Sequence, residues 1–415
     1  MLIKKVLFSA GVTGFFFDDQ AAIKKGAGHD GFIYEGEAET DGFKTIRMAG
    51  ESISVMLIME NGQIAYGDCA AVQYSGAGGR DPLFLTETYI PFLNEYIKPY
   101  LEGRNITSFK EEAEAFDILQ INGERLHTAI RYGVSQALLD AAAIASGLLK
   151  TEVICRDYDL PIVAESVPLF AQSGDDRYTA VDKMILKHVD VLPHALINNI
   201  DTKLGRKGEL LLEYVHWLSE RVIKLRTDES YKPDIHIDVY GNIGTIFNHD
   251  DNKMADYFLE LEKAAGELQL YIEGPMDMGD KEKQIHAMKE LHYKLHERGC
   301  KVKTVADEWC NTWEDIKDFT DAECCDMVQI KTPDLGSIHN IIKSILYCKE
   351  MGMEAYQGGT CNETNISAQT CVHVGLAARA ERMLVKPGMG FDEGLTIVKN
   401  EMERTLEVLR WKEGK

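Results

Sequence analysis

No CxxC pair occurs among the nine cysteines of this 415-residue chain, and their count is odd. That pattern argues against a zinc ribbon and against a disulfide framework, and the adjacent Cys324 and Cys325 suit neither. Reduced thiols in a cytoplasmic protein are the expectation. Basic residues are scarce: 45 Lys and Arg stand against 67 Asp and Glu, a formal net charge of -22. So acidic a surface repels phosphate backbones and anionic lipid, which argues against nucleic acid and membrane surfaces as partners. An anionic substrate stays open, because a bound divalent cation inverts the local field. The most apolar stretch, residues 133–149, is interrupted by Gln136 and Asp140 and reads as a packed helix, not a membrane span. The run from Val6 to Phe17 behind Lys4 and Lys5 imitates a short signal peptide, but Gly11 and Gly14 break it and Asp18 and Asp19 close it. It reads as a first strand and loop, with a secreted protein as the alternative.

The length suits two domains, and an apolar fraction of 45% is enough for sizeable cores. Residues 1–160 read as an α+β unit. Residues 52–59 alternate like a strand, Asn61-Gly62 signals a hairpin into residues 63–66, and helical patterns cover 108–119 and 125–146. Residues 161–415 change texture. Strand candidates at 167–171, 195–198, 235–240, 268–273, 302–307, 327–331, 354–357 and 383–386 alternate with helical stretches such as 208–225 and 281–298. Eight strand-helix units in this length predict an α/β fold, a (β/α)8 barrel carrying an N-terminal α+β capping domain. An open doubly wound sheet would carry a GxGxxG turn after its first strand, and none occurs there. The glycine-rich run at 75–80 lacks the lysine and serine of a phosphate-binding loop and reads as a mobile loop.

Barrel enzymes build their sites on the C-terminal ends of the strands. The third candidate strand carries Asp238 there, the fourth Glu273 and the fifth Asp307, spaced 35 and 34 residues apart. Neighbouring strands lie about 4.8 Å apart, so three such carboxylates can converge on one ion. Crowded carboxylates raise one another's pKa unless a cation intervenes, and a hard divalent ion, Mg²⁺ first, relieves the repulsion. The competing reading makes each of them an N-cap of the following helix. The sixth strand ends in Lys331, either a surface lysine or a general base whose pKa a neighbouring cation lowers. Gln329, two residues earlier, points the same way. His194 falls just before the short second candidate strand, and on spacing alone it is a bland buried or surface histidine. Residues 358–364 are either a plain turn or a cradle in which backbone N–H groups and Thr360 meet a carboxylate.

With these ligands on three strands and a lysine on the next, the chain resembles the enolase superfamily. Nearly end to end it resembles the methylaspartate ammonia-lyase family. That second resemblance rests on Phe17-Asp18-Asp19-Gln20, Gly28-His29-Asp30-Gly31 and the run from Asp68 to Gly76 in the first part. In the second part it rests on Ala171-Gln172-Ser173-Gly174, Asp307-Glu308-Trp309-Cys310-Asn311-Thr312, Gln329-Ile330-Lys331-Thr332, Gly359-Thr360-Cys361-Asn362-Glu363 and Lys386-Pro387-Gly388. The resemblance implies elimination of ammonia from 3-methylaspartate to give mesaconate, within glutamate degradation. It makes Asp238, Glu273 and Asp307 the Mg²⁺ ligands and Lys331 the base that takes the C3 proton. It moves His194 to the opposite face of the substrate, against the bland reading. Gln172, Gln329, Thr360 and the backbone of Cys361 become substrate contacts, and Gln73 a capping-loop contact. A homodimer, a K⁺ activator and a small amino-dicarboxylate substrate come with it. A racemase, epimerase or dehydratase of the same superfamily would keep the ligands and the lysine, since fold does not fix reaction. A non-catalytic acidic barrel would need them to be accidental.

Overall fold

The computed structural model describes residues 1–77 and 79–414. Its N-terminal part is a three-stranded antiparallel sheet in the order Ile3–Asp18, Arg47–Met59, Ile64–Ala70. The first strand is one continuous element and not the strand and loop expected from its glycines. Gly11 stays in register opposite Ser52, and a register irregularity between Val12 and Phe16 absorbs Gly14 without ending the pairing. Alternation in the middle strand turns Ile53, Val55, Leu57 and Met59 inward, all fully buried.

The helix Thr128–Ser146 lies over this sheet. It contains much of the apolar stretch from residue 133, and its side chains are mostly buried in the protein core. Among the described residues no helix is long and apolar enough to cross a membrane. The approach between helix and sheet is close: a Cβ on Gly133 would lie 2.3 Å from the backbone nitrogen of Cys69. Only glycine fits there. All nine cysteines are free and buried.

The second part is a closed barrel of eight parallel strands arranged in chain order. They are Leu169–Gly174, Val191–Leu196, Asp234–Asp238, Leu270–Glu273, Lys303–Ala306, Met327–Ile330, Glu354–Gln357 and Arg382–Leu384. Seven coincide with the expected runs to within a few residues. The second begins four residues earlier than the 195–198 expected. Pro193 conceals it, because proline is tolerated in a strand where the ladder is already irregular. Both neighbours of this strand show such irregularity.

Inside the barrel, Phe170, Val191, Tyr271, Val305, Met327, Tyr356 and Leu384 form an apolar plug. The third strand contributes His236, whose ring stacks on Phe170 with centroids 4.4 Å apart. The plug closes the bore between the two ends of the barrel. Overpacking a close helix–sheet contact destabilises by about 1–3 kcal/mol. Gly133→Ala should therefore lower the thermal midpoint followed by circular dichroism while leaving the native spectrum unchanged.

Candidate active site

Each carboxylate reaches the rim because its strand ends there. Asp238 and Glu273 are the last residues of the third and fourth strands, and Asp307 follows the fifth directly. None of them caps a helix. The helices that follow are capped by Gly241, Asp280 and Thr312. Asp238 and Glu273 are buried, and one donor atom from each lies within 4.8 Å of the other and of His194. Asp307 stands outside that group, with Oδ1 3.0 Å from the Lys331 ammonium.

Glu273 is the most tightly held of the three. The Tyr356 hydroxyl donates to its Oε1 at 2.8 Å, Gln329 Nε2 donates to the same oxygen at 3.0 Å, and His236 Nε2 lies 2.8 Å from Oε2. Burial opposes its ionisation, but contacts with His194 and His236 outweigh that and hold its pKa well below the usual carboxylate range. Asp238 behaves oppositely. Burial first, then the charges of Glu273 and Asp307, push it well up, and a 3.1 Å hydrogen bond from the Tyr240 N–H offsets little. Burial also raises Asp307, to about 6, against the pull of Lys331. Two carboxylates that resist ionisation beside a third already ionised are short of positive charge. An all-oxygen carboxylate set with that deficit fits a hard divalent cation.

Lys331 is 6% exposed, so the surface reading of it does not hold. Burial pulls its pKa down, but Asp307, Glu308 and Asp334 outweigh burial and hold it above the normal lysine value. The nearest of them is Asp307, whose Oδ1 is 3.0 Å from the ammonium. Asn311 Oδ1 accepts from its Nζ at 3.1 Å and fixes the head group.

His194 lies within the second strand, paired with Gln172 across the irregular ladder. Both its ring nitrogens are buried and neither makes a hydrogen bond, although Nε2 is 3.4 Å from Glu273 Oε2. A buried imidazole with no partner is available to a ligand.

A cavity of about 130 Å³ opens above these groups. It is lined by His194, Asp238, Asp307 and Lys331, and also by Gln73, Gln172, Gln329, Thr360 and Cys361. Glu273, fully buried beneath, is the one residue expected at the site that does not line it. The expected contacts are already oriented. Gln172 Nε2 donates to the Gly388 carbonyl at 2.8 Å, and Gln73 Nε2 donates to Asp18 at 2.6 Å. Cys361 Sγ is 3.7 Å from Gln73 Oε1, and Thr360 Oγ1 accepts from the Asn362 N–H at 3.2 Å. Gln357 is buried away from the cavity and donates to the Cys371 carbonyl.

The loop bearing Thr360 and Cys361 is pinned from below and from the side. Gly359 has φ 143°, and a Cβ there would meet Lys386 Nζ at 2.5 Å. Lys386, fully buried, donates to Glu363 Oε1 at 2.8 Å, to Thr332 at 2.6 Å and to the Gly358 carbonyl at 2.9 Å. The Tyr132 hydroxyl, from the N-terminal part, donates to Glu363 Oε2 at 2.8 Å. Arg80, at the end of the glycine-rich run expected to be mobile, reaches Asp334 at 3.1 Å and lines the cavity. Gly78 of that run lies outside the described residues.

Sequence reasoning missed His236, Tyr356, Asn311, Arg47 and the role of Asp18. His236 had a signal: it stands two residues before Asp238 and so faces the same way, one layer deeper. Asn311 and Asp18 lie in runs that carried the resemblance. Arg47, forked onto Asp18 at 2.7 Å by two nitrogens, had none, since its partner is 29 residues away.

The family model for the methylaspartate ammonia-lyase C-terminus matches residues 161–411, and the one for its N-terminus matches residues 1–159. A methylaspartate ammonia-lyase from Citrobacter amalonaticus is 65% identical over 413 residues, 100% of either chain. The crystal structure of the Citrobacter amalonaticus enzyme containing (2S,3S)-3-methylaspartic acid has a TM-score of 0.98 at 65% identity, covering 99% of this chain and 100% of that one. The Mg complex of beta-methylaspartase from Clostridium tetanomorphum has a TM-score of 0.97 at 58% identity, over 99% and 100% of the two chains. Muconate cycloisomerase from Pseudomonas fluorescens shares the fold alone, with a TM-score of 0.60 at 14% identity over 90% and 84%.

Removing one partner of a buried ion pair costs about 3–5 kcal/mol, because the other charge is left uncompensated. Glu363→Gln strands the Lys386 ammonium in this way. Its urea unfolding midpoint should fall accordingly, while Glu403→Gln, on the C-terminal helix away from the pair, should leave it unchanged.

Proposed function

The chain belongs to the methylaspartate ammonia-lyase family, and from that premise we propose how its own residues carry the reaction. It is a Mg²⁺-dependent carbon–nitrogen lyase of the enolase-like barrel type, eliminating ammonia from 3-methylaspartate. The observation that supports this residue assignment is the rim geometry: Lys331 and His194 border one small cavity that Asp238 and Asp307 also line, with Glu273 buried beneath it.

Asp238, Glu273 and Asp307 would hold Mg²⁺. When bound, the ion stabilises the negative charge that develops on the substrate carboxylate next to C3. Lys331, as the neutral amine, takes the C3 proton of the L-threo isomer onto Nζ. The C2–N bond then breaks, a C2–C3 double bond forms, and mesaconate and ammonia are released. Asn311 positions the lysine head group. His194 serves the opposite face, where its unpartnered nitrogens can hold or move a proton. Gln172, Gln329 and Gln73 present amides to the two carboxylates and the amine, and Thr360 and the Cys361 backbone close the end of the pocket. The division of the chain at residue 160, with the first part capping the barrel, belongs to the same proposal. So do the homodimer, the K⁺ activator, the cytoplasmic setting and the place in glutamate degradation.

Addition of 3-methylaspartate with Mg²⁺ should produce the ultraviolet absorbance of an unsaturated diacid together with free ammonia, and omission of Mg²⁺ should stop both. Glu273→Gln and Asp307→Asn should lose Mg²⁺ binding by calorimetry and lose turnover, with circular dichroism unchanged. Normal turnover by either variant without added metal would show the carboxylate assignment to be wrong.

A general base contributes about 10²–10⁴ in rate, so Lys331→Ala should lose at least ~10²-fold in turnover. Only the unprotonated amine accepts a proton. A divalent cation held by Asp238, Glu273 and Asp307 would disfavour the ammonium, so with Mg²⁺ wild-type turnover should rise with pH on the acid side as Lys331 deprotonates. Exchange of the C3 hydrogen in D₂O, followed for each C3 epimer separately, distinguishes the two groups. Lys331→Ala should stop exchange of the main epimer, and His194→Ala should alter the ratio between epimers. Wild-type exchange of the main epimer in Lys331→Ala would remove the lysine from this role.

A further inference from the structure

A second cluster of metal-ligating groups lies at the other end of the barrel. His292 and His296 are one turn apart on the helix Lys281–Glu297 and turn toward Asp326, the residue before the sixth barrel strand. That strand carries Lys331 just past its far end, so Asp326 marks the N-terminal face, away from the cavity. One donor atom from each of the three residues lies within 4.8 Å of the others.

The separations are informative. His292 Nδ1 is 3.4 Å from Asp326 Oδ2, and His296 Nε2 is 3.5 Å from Oδ1. Charge-assisted hydrogen bonds are shorter, about 2.7–2.9 Å. Two ligands each about 2.1 Å from a tetrahedral ion stand roughly 3.4 Å apart. His292 Nδ1 is buried and makes no hydrogen bond, so its lone pair can serve an ion shared with the carboxylate. Asp326 is rigid: its Oδ2 accepts from the Thr304 N–H at 2.7 Å and the Thr304 hydroxyl at 3.1 Å, leaving Oδ1 directed at His296. The two imidazole rings are 4.3 Å apart in an edge-on arrangement that keeps both nitrogens on the same side of the helix as the carboxylate.

We propose that His292, His296 and Asp326 bind a transition-metal dication of the Zn²⁺ class, separate from the catalytic cation. Two imidazoles and one carboxylate favour Zn²⁺, Co²⁺ or Ni²⁺ over Mg²⁺, which prefers oxygen alone. His296 is mostly exposed, which leaves the remaining coordination position to water. The ion would tie the helix to the strand edge. An ion that binds only the folded chain stabilises it by mass action.

The test is calorimetric titration of Zn²⁺ into Mg²⁺-saturated wild type and into His296→Ala, with thermal melts in parallel. Because His296 is exposed, its replacement leaves the fold and the Mg²⁺-supported activity unchanged. Wild type should take up one equivalent of Zn²⁺ that His296→Ala binds at least ~10-fold more weakly, since loss of even an outer partner costs that much. Zn²⁺ should raise the melting temperature of wild type and not that of the variant. The visible ligand-field absorption of bound Co²⁺ should lose its histidine-dependent component in His292→Ala/His296→Ala. Equal stoichiometry and affinity in wild type and His296→Ala, or an unchanged Co²⁺ spectrum in the double variant, would overturn the proposal.

Discussion

Three carboxylates held close together on a buried barrel rim repel one another, and the surrounding residues are arranged around that repulsion. Glu273 takes hydrogen bonds from a tyrosine and a glutamine and a close contact from His236. Those contacts keep it ionised where burial alone would neutralise it. Asp307 leans on Lys331, and Asp238 has little beyond one backbone N–H. The charge state of the lysine is therefore a property of the whole cluster. A group that shares its charge with a neighbour 3.0 Å away answers to whatever else engages that neighbour.

The same constraint explains why polar groups extend down into the barrel. A carboxylate with no exposure needs partners beneath it, and His236 and Tyr356 supply them from within an otherwise apolar plug. Burial pushes the His236 imidazole down to about 4, so it sits in the plug as a neutral group and packs against Phe170 and Tyr271. The layer that closes the barrel and the layer that supports the rim are one structure.

A second buried ion pair performs the corresponding task for the loop above. Lys386 and Glu363 hold the turn that carries Thr360 and Cys361, and Tyr132 brings the N-terminal part into the same network. Asn362 adds a bond to the Ala71 carbonyl at 2.9 Å, one residue from the stretch that leads to Gln73. The two parts of the chain are thus joined at the cavity mouth by groups that exposure to water would weaken.

Much of this was legible in the order of residues, for a physical reason. Side chains alternate along a strand, and a parallel barrel repeats one strand and one helix per turn. Asp238, Glu273, Asp307 and Lys331 could therefore be assigned to a common rim from spacing alone. The eight-strand rhythm and the buried helix near residue 133 are local patterns of the same kind. Tertiary structure alone decided the rest. Pro193 hides a strand whose irregular pairing with both neighbours carries His194 into the site. Tyr356 meets Glu273 across 83 residues, and Tyr132 meets Glu363 across 231. Which carboxylate holds the lysine, and which side of the lysine's titration wins, depends on distances and burial that no local periodicity encodes. Periodicity determines which way a side chain points; barrel closure and the packing of the N-terminal part against it determine what it meets there.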